Sequence, residues 1–228
     1  ARSSGYETAH IPGAISLKWS DYVDESKKLL SVSELQTKLS AAGLNPYMTF
    51  IIYDDTLKSW GAAGRVFWML EYLGCNDVHI LNGGWDLWSA EGRDTETTVN
   101  TLSPNIFIAS VRDSLLMDKS TIKNNLSNED FIIIDPREDE EYNGWTLYGE
   151  QRGGHIPGAV NINYRWFFNA DNNTIRNNDE LKEMLESYAI TNDKTITSYC
   201  TAGIRSGLVY FALRHMGYTD ISNYDGSM

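Results

Sequence analysis

The chain has 228 residues, 42% of them hydrophobic and seven of them tryptophan, enough to fill one large core or two ordinary ones. Its 19 Lys and Arg face 31 Asp and Glu, a net charge of −12, so nucleic acid and anionic membrane are poor partners and an anionic substrate must be drawn in by a local positive site. No stretch approaches the roughly eighteen apolar residues of a membrane span, and Cys75 and Cys200 belong to no metal-ligand spacing, so free thiols and no metal are expected.

The chain repeats itself. AHIPGAISLKW at 9–19 returns as GHIPGAVNINY at 154–164, and LEYLGCNDVHILNGGW at 70–85 returns as LRHMGYTDISNYDGSM at 213–228. The offsets, 145 from His10 to His155 and 143 from Leu70 to Leu213, are domain-sized rather than those of a solenoid unit. Two α/β domains follow, expected over 1–103 and 104–228, each a mostly parallel sheet with helices on both faces.

In the first copy a strand is expected near Ile15–Leu17, a helix over 33–42 capped by Ser31 or Ser33, and a buried strand over 50–53. A helix over 65–73, a strand over 78–81 and a short helix holding Trp85 and Trp88 follow. The polar, Thr-rich stretch 91–104 reads as the linker. The second copy offers a helix over 117–126, a strand over 131–134 ending at Asp135, a turn at His155, a strand over 160–162 and a helix over 179–188. Nothing before Ala1-Arg2 matches the 131–134 strand and nothing after Met228 matches the Trp85–Trp88 helix, so a piece is expected to be missing at each end, with an open slot in the first sheet. The first residues lack a basic-then-apolar signal pattern, and the compartment, cytoplasmic or periplasmic, is left open.

The candidate chemistry lies at Ser198-Tyr-Cys-Thr-Ala-Gly-Ile-Arg-Ser206. A β-branched strand over 195–199 hands over to an apolar helical pattern over 206–216, which places Cys200 at a strand end beside a helix N-terminus. That setting stabilises a thiolate or a bound anion. Gly203 lets the loop amides of Thr201, Ala202 and Ile204 turn inward, and Arg205 brings a positive charge; alternatively Arg205 ties down a structural carboxylate such as Asp135.

Asp135-Pro-Arg137, Glu141-Tyr142, Gly154-His-Ile-Pro-Gly-Ala159, the Cys200–Arg205 loop and Tyr224-Asp-Gly-Ser227, in this order and largely twice over, resemble the rhodanese family of sulfurtransferases in its two-domain form. The resemblance implies a catalytically inactive first domain and a catalytic second one, with Cys200 as nucleophile. It also implies donor binding by Thr201, Ala202, Gly203, Ile204, Arg205 and Arg137, structural roles for Asp135 and His155 near the site, and no metal or organic cofactor. Aligning Ile51-Ile-Tyr-Asp54 with Thr197-Ser-Tyr-Cys200 puts Asp54 at the cysteine's place, where it is expected to cap the following turn. Four residues between Cys200 and Arg205 make a loop sized for one sulfur atom, one shorter than in the related phosphatases and arsenate reductases.

The implied partners are a small sulfur donor such as thiosulfate and a cyanide or thiol acceptor, including a protein thiol; the competing reading is a non-catalytic binding or sulfur-carrier module. In mammalian-type relatives basic residues occupy the positions of Ala202 and Glu141, so Arg205, helped by Arg137, Arg152 or Arg165, is expected to take over the donor's anionic group. Trp60, in a loop longer than its counterpart after Cys200, is expected to wall the site.

Overall fold

The computed structural model describes residues 5–150 and 152–228; Ala1-Arg2 fall outside them. The first domain contains α1 (Val32–Ala41), β1 (Phe50–Ile52), α2 (Ala62–Tyr72), β2 (Val78–Ile80) and α3 (Gly84–Ala90). The second contains α4 (Lys119–Asn124), β3 (Phe131–Asp135), α5 (Asp139–Tyr142), β4 (Val160–Asn161), α6 (Asn178–Ser187), β5 (Thr195–Ser198), α7 (Ile204–His215) and β6 (Ile221–Asn223). Every strand pairing in both sheets is parallel: β1 beside β2, and β4-β3-β5-β6.

The flanking helices start where their side chains can supply the missing hydrogen bonds. Ser31 and Glu34 form a reciprocal capping box at α1, and Asn177 and Glu180 do the same at α6. Each helix then buries two leucines one turn apart, Leu35 with Leu39 and Leu181 with Leu185, all fully buried.

The expected strand at 15–17 is a single parallel bridge, Ile15 to Asn100. Tyr6 Oη and Asn100 Nδ2 both donate to the Ala14 carbonyl, at 2.5 and 3.1 Å, and so take the acceptor a longer ladder would use. The 91–104 stretch is accordingly not a free tether: Glu96 exchanges backbone hydrogen bonds with His10 at 2.9 Å in each direction.

Helices α2 and α7 hold the two domains together. All eleven residues of α2 are buried, and nine of the twelve in α7. They cross at Gly64 and Gly207, which stand 143 positions apart like Leu70 and Leu213. A Cβ on Gly207 would lie 2.7 Å from the Arg65 Cα, and one on Gly64 would strike the Leu208 backbone, so only glycine allows this approach. The duplication is thus a pseudo-twofold in space. It extends to polar contacts: Asp225 Oδ2 accepts from Leu29 N at 2.6 Å, and its mate Asn82 Oδ1 accepts from Ile175 N at 2.8 Å. Glu71 of α2 completes the seam, accepting from Tyr210 Oη at 2.6 Å and from Arg214 at 3.2 Å.

Candidate active site

Cys200 sits two residues past the end of β5, where Tyr199, fully buried, anchors the chain. The Tyr199 hydroxyl donates to Asp135 Oδ2 at 2.6 Å and accepts from Ile156 N at 3.0 Å. Asp135 also holds the Arg137 guanidinium, with Nη2 at 2.7 Å and Nε at 2.9 Å, and Arg137 Nη2 donates to the Gly154 carbonyl at 2.7 Å. Asp135 therefore ties the ends of β3 and β5 to the His155 turn. It orients the residue before the cysteine without reaching the cavity.

The loop then turns back at Gly203, whose backbone is left-handed at φ 72°, and α7 begins at Ile204. This is two residues earlier than periodicity alone indicates, because the left-handed cap lets the helix start as soon as the loop closes. Arg205 consequently stands in the first helical turn. The Cys200 thiol is 1% exposed. Burial works against its ionisation, but the Arg205 charge, the Ser206 and Ala202 backbone N–H groups and the Ser206 hydroxyl, 3.7 Å from Sγ, outweigh it and bring the thiol below its ordinary value. Cys75 shows the opposite balance: burial outweighs the nearby Arg112 charge and its own backbone N–H, and the thiol is pushed up to about 12.

Arg205 lines the cavity, but its guanidinium is already engaged. Glu141 accepts from Nη1 at 2.5 Å and from Nη2 at 2.8 Å, and Nη2 also meets Thr201 Oγ1 at 3.0 Å. The carboxylate tied by Arg205 is therefore Glu141; Asp135 is spent on Arg137. Burial opposes the charge on Glu141, yet the bidentate arginine holds the carboxyl below its usual range.

Thr201, Ala202, Ile204 and Arg205 line one cavity of about 790 Å³ together with Cys200. Gly203 turns the loop from behind. Arg137, fully buried on Asp135, does not face this cavity, and neither do Arg152, Arg165 or His155. His155 stacks on Tyr142 at 3.6 Å and its Nδ1 donates to the Tyr142 carbonyl at 2.9 Å. His10 does the same with Tyr6, at 3.8 and 2.7 Å, so both histidines brace their turns.

The cavity has two walls, of which the sequence indicated Trp60 but not the rest. One is the segment after Tyr142. Tyr6 and His10 are four apart, whereas Tyr142 and His155 are thirteen apart, so the second copy carries nine extra residues. These bring Tyr148 and Glu150 to the cavity, with the Tyr148 ring 5.3 Å from the Arg205 guanidinium carbon and Glu150 Oε1 3.1 Å from Thr201 Oγ1. Aligning the repeats on the tyrosines as well as the histidines would have exposed this insertion. The other wall comes from the first domain: Trp19, the hairpin segment Glu25–Lys28, and Trp60, which meets Tyr148 edge-on at 5.8 Å. At the pseudo-equivalent place in the first domain, Asp54 accepts from Thr56 N at 2.9 Å and Ala63 N at 2.8 Å, closing its own loop.

The model of the rhodanese-like domain matches residues 1–91 and again 118–228. The chain belongs to the rhodanese family. It is 32% identical to the sulfur carrier protein TtuD of Thermus thermophilus, covering 97% of this chain and 82% of that protein. It is 30% identical to a thiosulfate sulfurtransferase of Azotobacter vinelandii, again over 97% of this chain and 82% of the relative. Among solved structures, the 3-mercaptopyruvate sulfurtransferase SseA of Escherichia coli superposes with a TM-score of 0.88 at 25% identity, covering 99% of this chain and 86% of that one. EanB in complex with ergothioneine gives 0.88 at 25% identity, and there the chain spans 58% of the longer protein. The protein is a two-domain rhodanese-type sulfurtransferase that works on small sulfur donors and acceptors. Among the described residues no helix is long and apolar enough to cross a membrane, and no cluster of three or more His, Cys, Asp or Glu could hold a metal ion.

Proposed function

We propose that Cys200 is the sulfur-accepting nucleophile of a ping-pong transfer. The thiolate attacks the sulfane sulfur of thiosulfate; the donor's S–S bond breaks with its electron pair leaving on sulfite, and a new S–S bond forms at Sγ, giving a Cys200 persulfide. Cyanide or a thiolate then attacks the outer sulfur, carries it away and returns the Cys200 thiolate. The observation that carries this reading is a cysteine at the floor of a cavity, buried yet biased toward the thiolate by loop amides and Arg205. The same amides support the negative charge once it has moved one atom outward onto the persulfide.

Mass spectrometry after exposure to thiosulfate should find one added sulfur atom on Cys200, and the protein should form thiocyanate from cyanide. Equal activity in native protein and Cys200→Ser would overturn the assignment. A second outcome has its own support in the likeness to a named sulfur carrier and in the exposed rings of Trp60 and Tyr148 at the mouth: persulfide that forms but passes to no small acceptor would make a protein thiol the acceptor.

A further inference from the structure

We infer that the first domain supplies the donor's anion site, through Lys27 and Lys28. The inference rests on the reading of Cys200 as the sulfur acceptor and adds what recognises the donor. Thiosulfate is a dianion whose charged sulfonate oxygens point away from the sulfane sulfur under attack, so a cation is needed in the cavity beyond the thiolate. Arg205 is held bidentately by Glu141, and Arg65, just behind the loop, is ion-paired with Asp225. Lys27 and Lys28, both exposed, line the cavity of Cys200, and neither forms an ion pair with a carboxylate among the described residues. The acidic groups on the same walls are Glu150, occupied by Tyr148 N at 2.9 Å and by Thr201, and Glu25 on the hairpin itself.

The backbone carries the second part of the argument. Lys27 adopts a left-handed conformation, φ 65°, which suits glycine or asparagine far better than lysine. The pseudo-twofold mate of its hairpin, bridged by Phe168 and Ile175 as this one is by Val23 and Leu29, has Asn173 at φ 56° in that position. The hairpin facing the Asp54 loop therefore has the conformationally easy residue, and the one facing Cys200 has a strained cation. Strain of this kind is retained where the surroundings enforce it. Here they do: Arg65 Nη2 donates to the Lys27 carbonyl at 3.1 Å, Leu29 N donates to Asp225, and Met228 N, three residues on, donates to the Cys200 carbonyl at 3.1 Å. The lysines are clamped to the turn that abuts the nucleophile. The catalytically silent domain thereby sets donor specificity.

Alkylation of Cys200 by iodoacetate and by iodoacetamide, reagents alike except for charge, reads this potential without requiring sulfur transfer. Lys27→Asn with Lys28→Gln keeps the backbone preference of the mate hairpin. It should lower the iodoacetate rate relative to iodoacetamide by roughly tenfold, and thiosulfate persulfidation by a similar factor; Glu25→Gln should move the ratio the other way. An unchanged ratio, or equal loss with both reagents, would overturn the inference. If native Cys200 takes no sulfur from thiosulfate, the proposed donor fails, and the alkylation ratio still decides whether the lysines form an anion site.

Discussion

The same loop is built twice, and each copy satisfies its loop amides by different means. In the first domain Asp54 fills the loop with its own carboxyl: burial pushes its pKa up, and the Thr56 and Ala63 amides at 2.9 and 2.8 Å, which work against that rise, are taken by its oxygens. In the second, Cys200 supplies a thiol that the proposed transfer would extend by one sulfur and shorten again, with the Ala202 and Ser206 amides and Arg205 offsetting burial. The scaffold offers loop amides to an acceptor in both. What separates a structural knot from a reactive centre is whether that acceptor can leave. The cleft on the Asp54 side, about 420 Å³, mixes apolar side chains such as Phe168, Leu208 and Phe211 with Asn82, Arg214 and His215.

The largest effect should come from erasing that distinction. Cys200→Asp imports the first domain's solution into the second and should reduce thiocyanate formation to background while the fold persists, since the loop amides then meet a carboxylate as they do at Asp54. Retained activity would mean the chemistry lies elsewhere.

Next in size is Glu141→Gln, which leaves the Arg205 guanidinium buried without its counter-charge. Breaking a buried pair from one side costs about 3 kcal/mol, or roughly 10 °C in Tm for a chain of this size. Because Arg205 shapes the loop, sulfur transfer from charged and uncharged donors should fall together; a loss confined to thiosulfate would restore Arg205 as the donor's own contact. The pH sign follows from the depressed Glu141 carboxyl. Its stabilisation is fully present above the ordinary value of 4.5 and is lost as pH falls through the lower, folded value, so the gap between native and Glu141→Gln should narrow only in that acid range. Thermal melts of both proteins across pH check it.

A smaller loss is expected from Gly207→Ala. Its Cβ would stand 2.7 Å from the Arg65 Cα, and forcing α2 and α7 apart should cost about 2 kcal/mol, measurable as a shifted denaturation midpoint. The smallest effect concerns Ser206. The iodoacetamide rate at Cys200 should rise through a midpoint below 9.0, the ordinary thiol value, and Ser206→Ala should move that midpoint slightly upward, as befits one weak hydroxyl contact at 3.7 Å. A midpoint at or above 9.0 in the native protein would remove the electrostatic argument for Cys200.

The parts of this design that reside in short stretches of sequence were readable there. The repeated HIPGA turns, the helical spacing of Leu35 with Leu39, and the strand–Cys–Gly–Arg–helix order around Cys200 all express local rules. The walls of the cavity, Trp60 apart, do not. Lys27 faces Cys200 only because α2 and α7 cross at two glycines and carry one domain's hairpin onto the other's turn, a relation between residues more than 170 positions apart. Glu141 was read as a departure from a basic position, and its meaning became visible only when Arg205 was found against it. The Ile15–Leu17 strand failed for a similar reason, since Asn100, far along the chain, takes the carbonyl that a ladder needs.

Arg65 has a consequence for how the molecule comes into being. It leaves the ribosome with the first half of the chain, yet its counter-ion Asp225 arrives some 160 residues later, and until then α2 presents a bare guanidinium beside the large apolar faces of Phe67, Trp68 and Met69. Such a half-molecule has no good resting state of its own. The two domains are therefore expected to unfold as one cooperative unit, which coincident transitions by two spectroscopic probes would check. The same contacts seat the Lys27 hairpin against the turn beside Cys200, so the cavity is complete only when Arg65 has met Asp225.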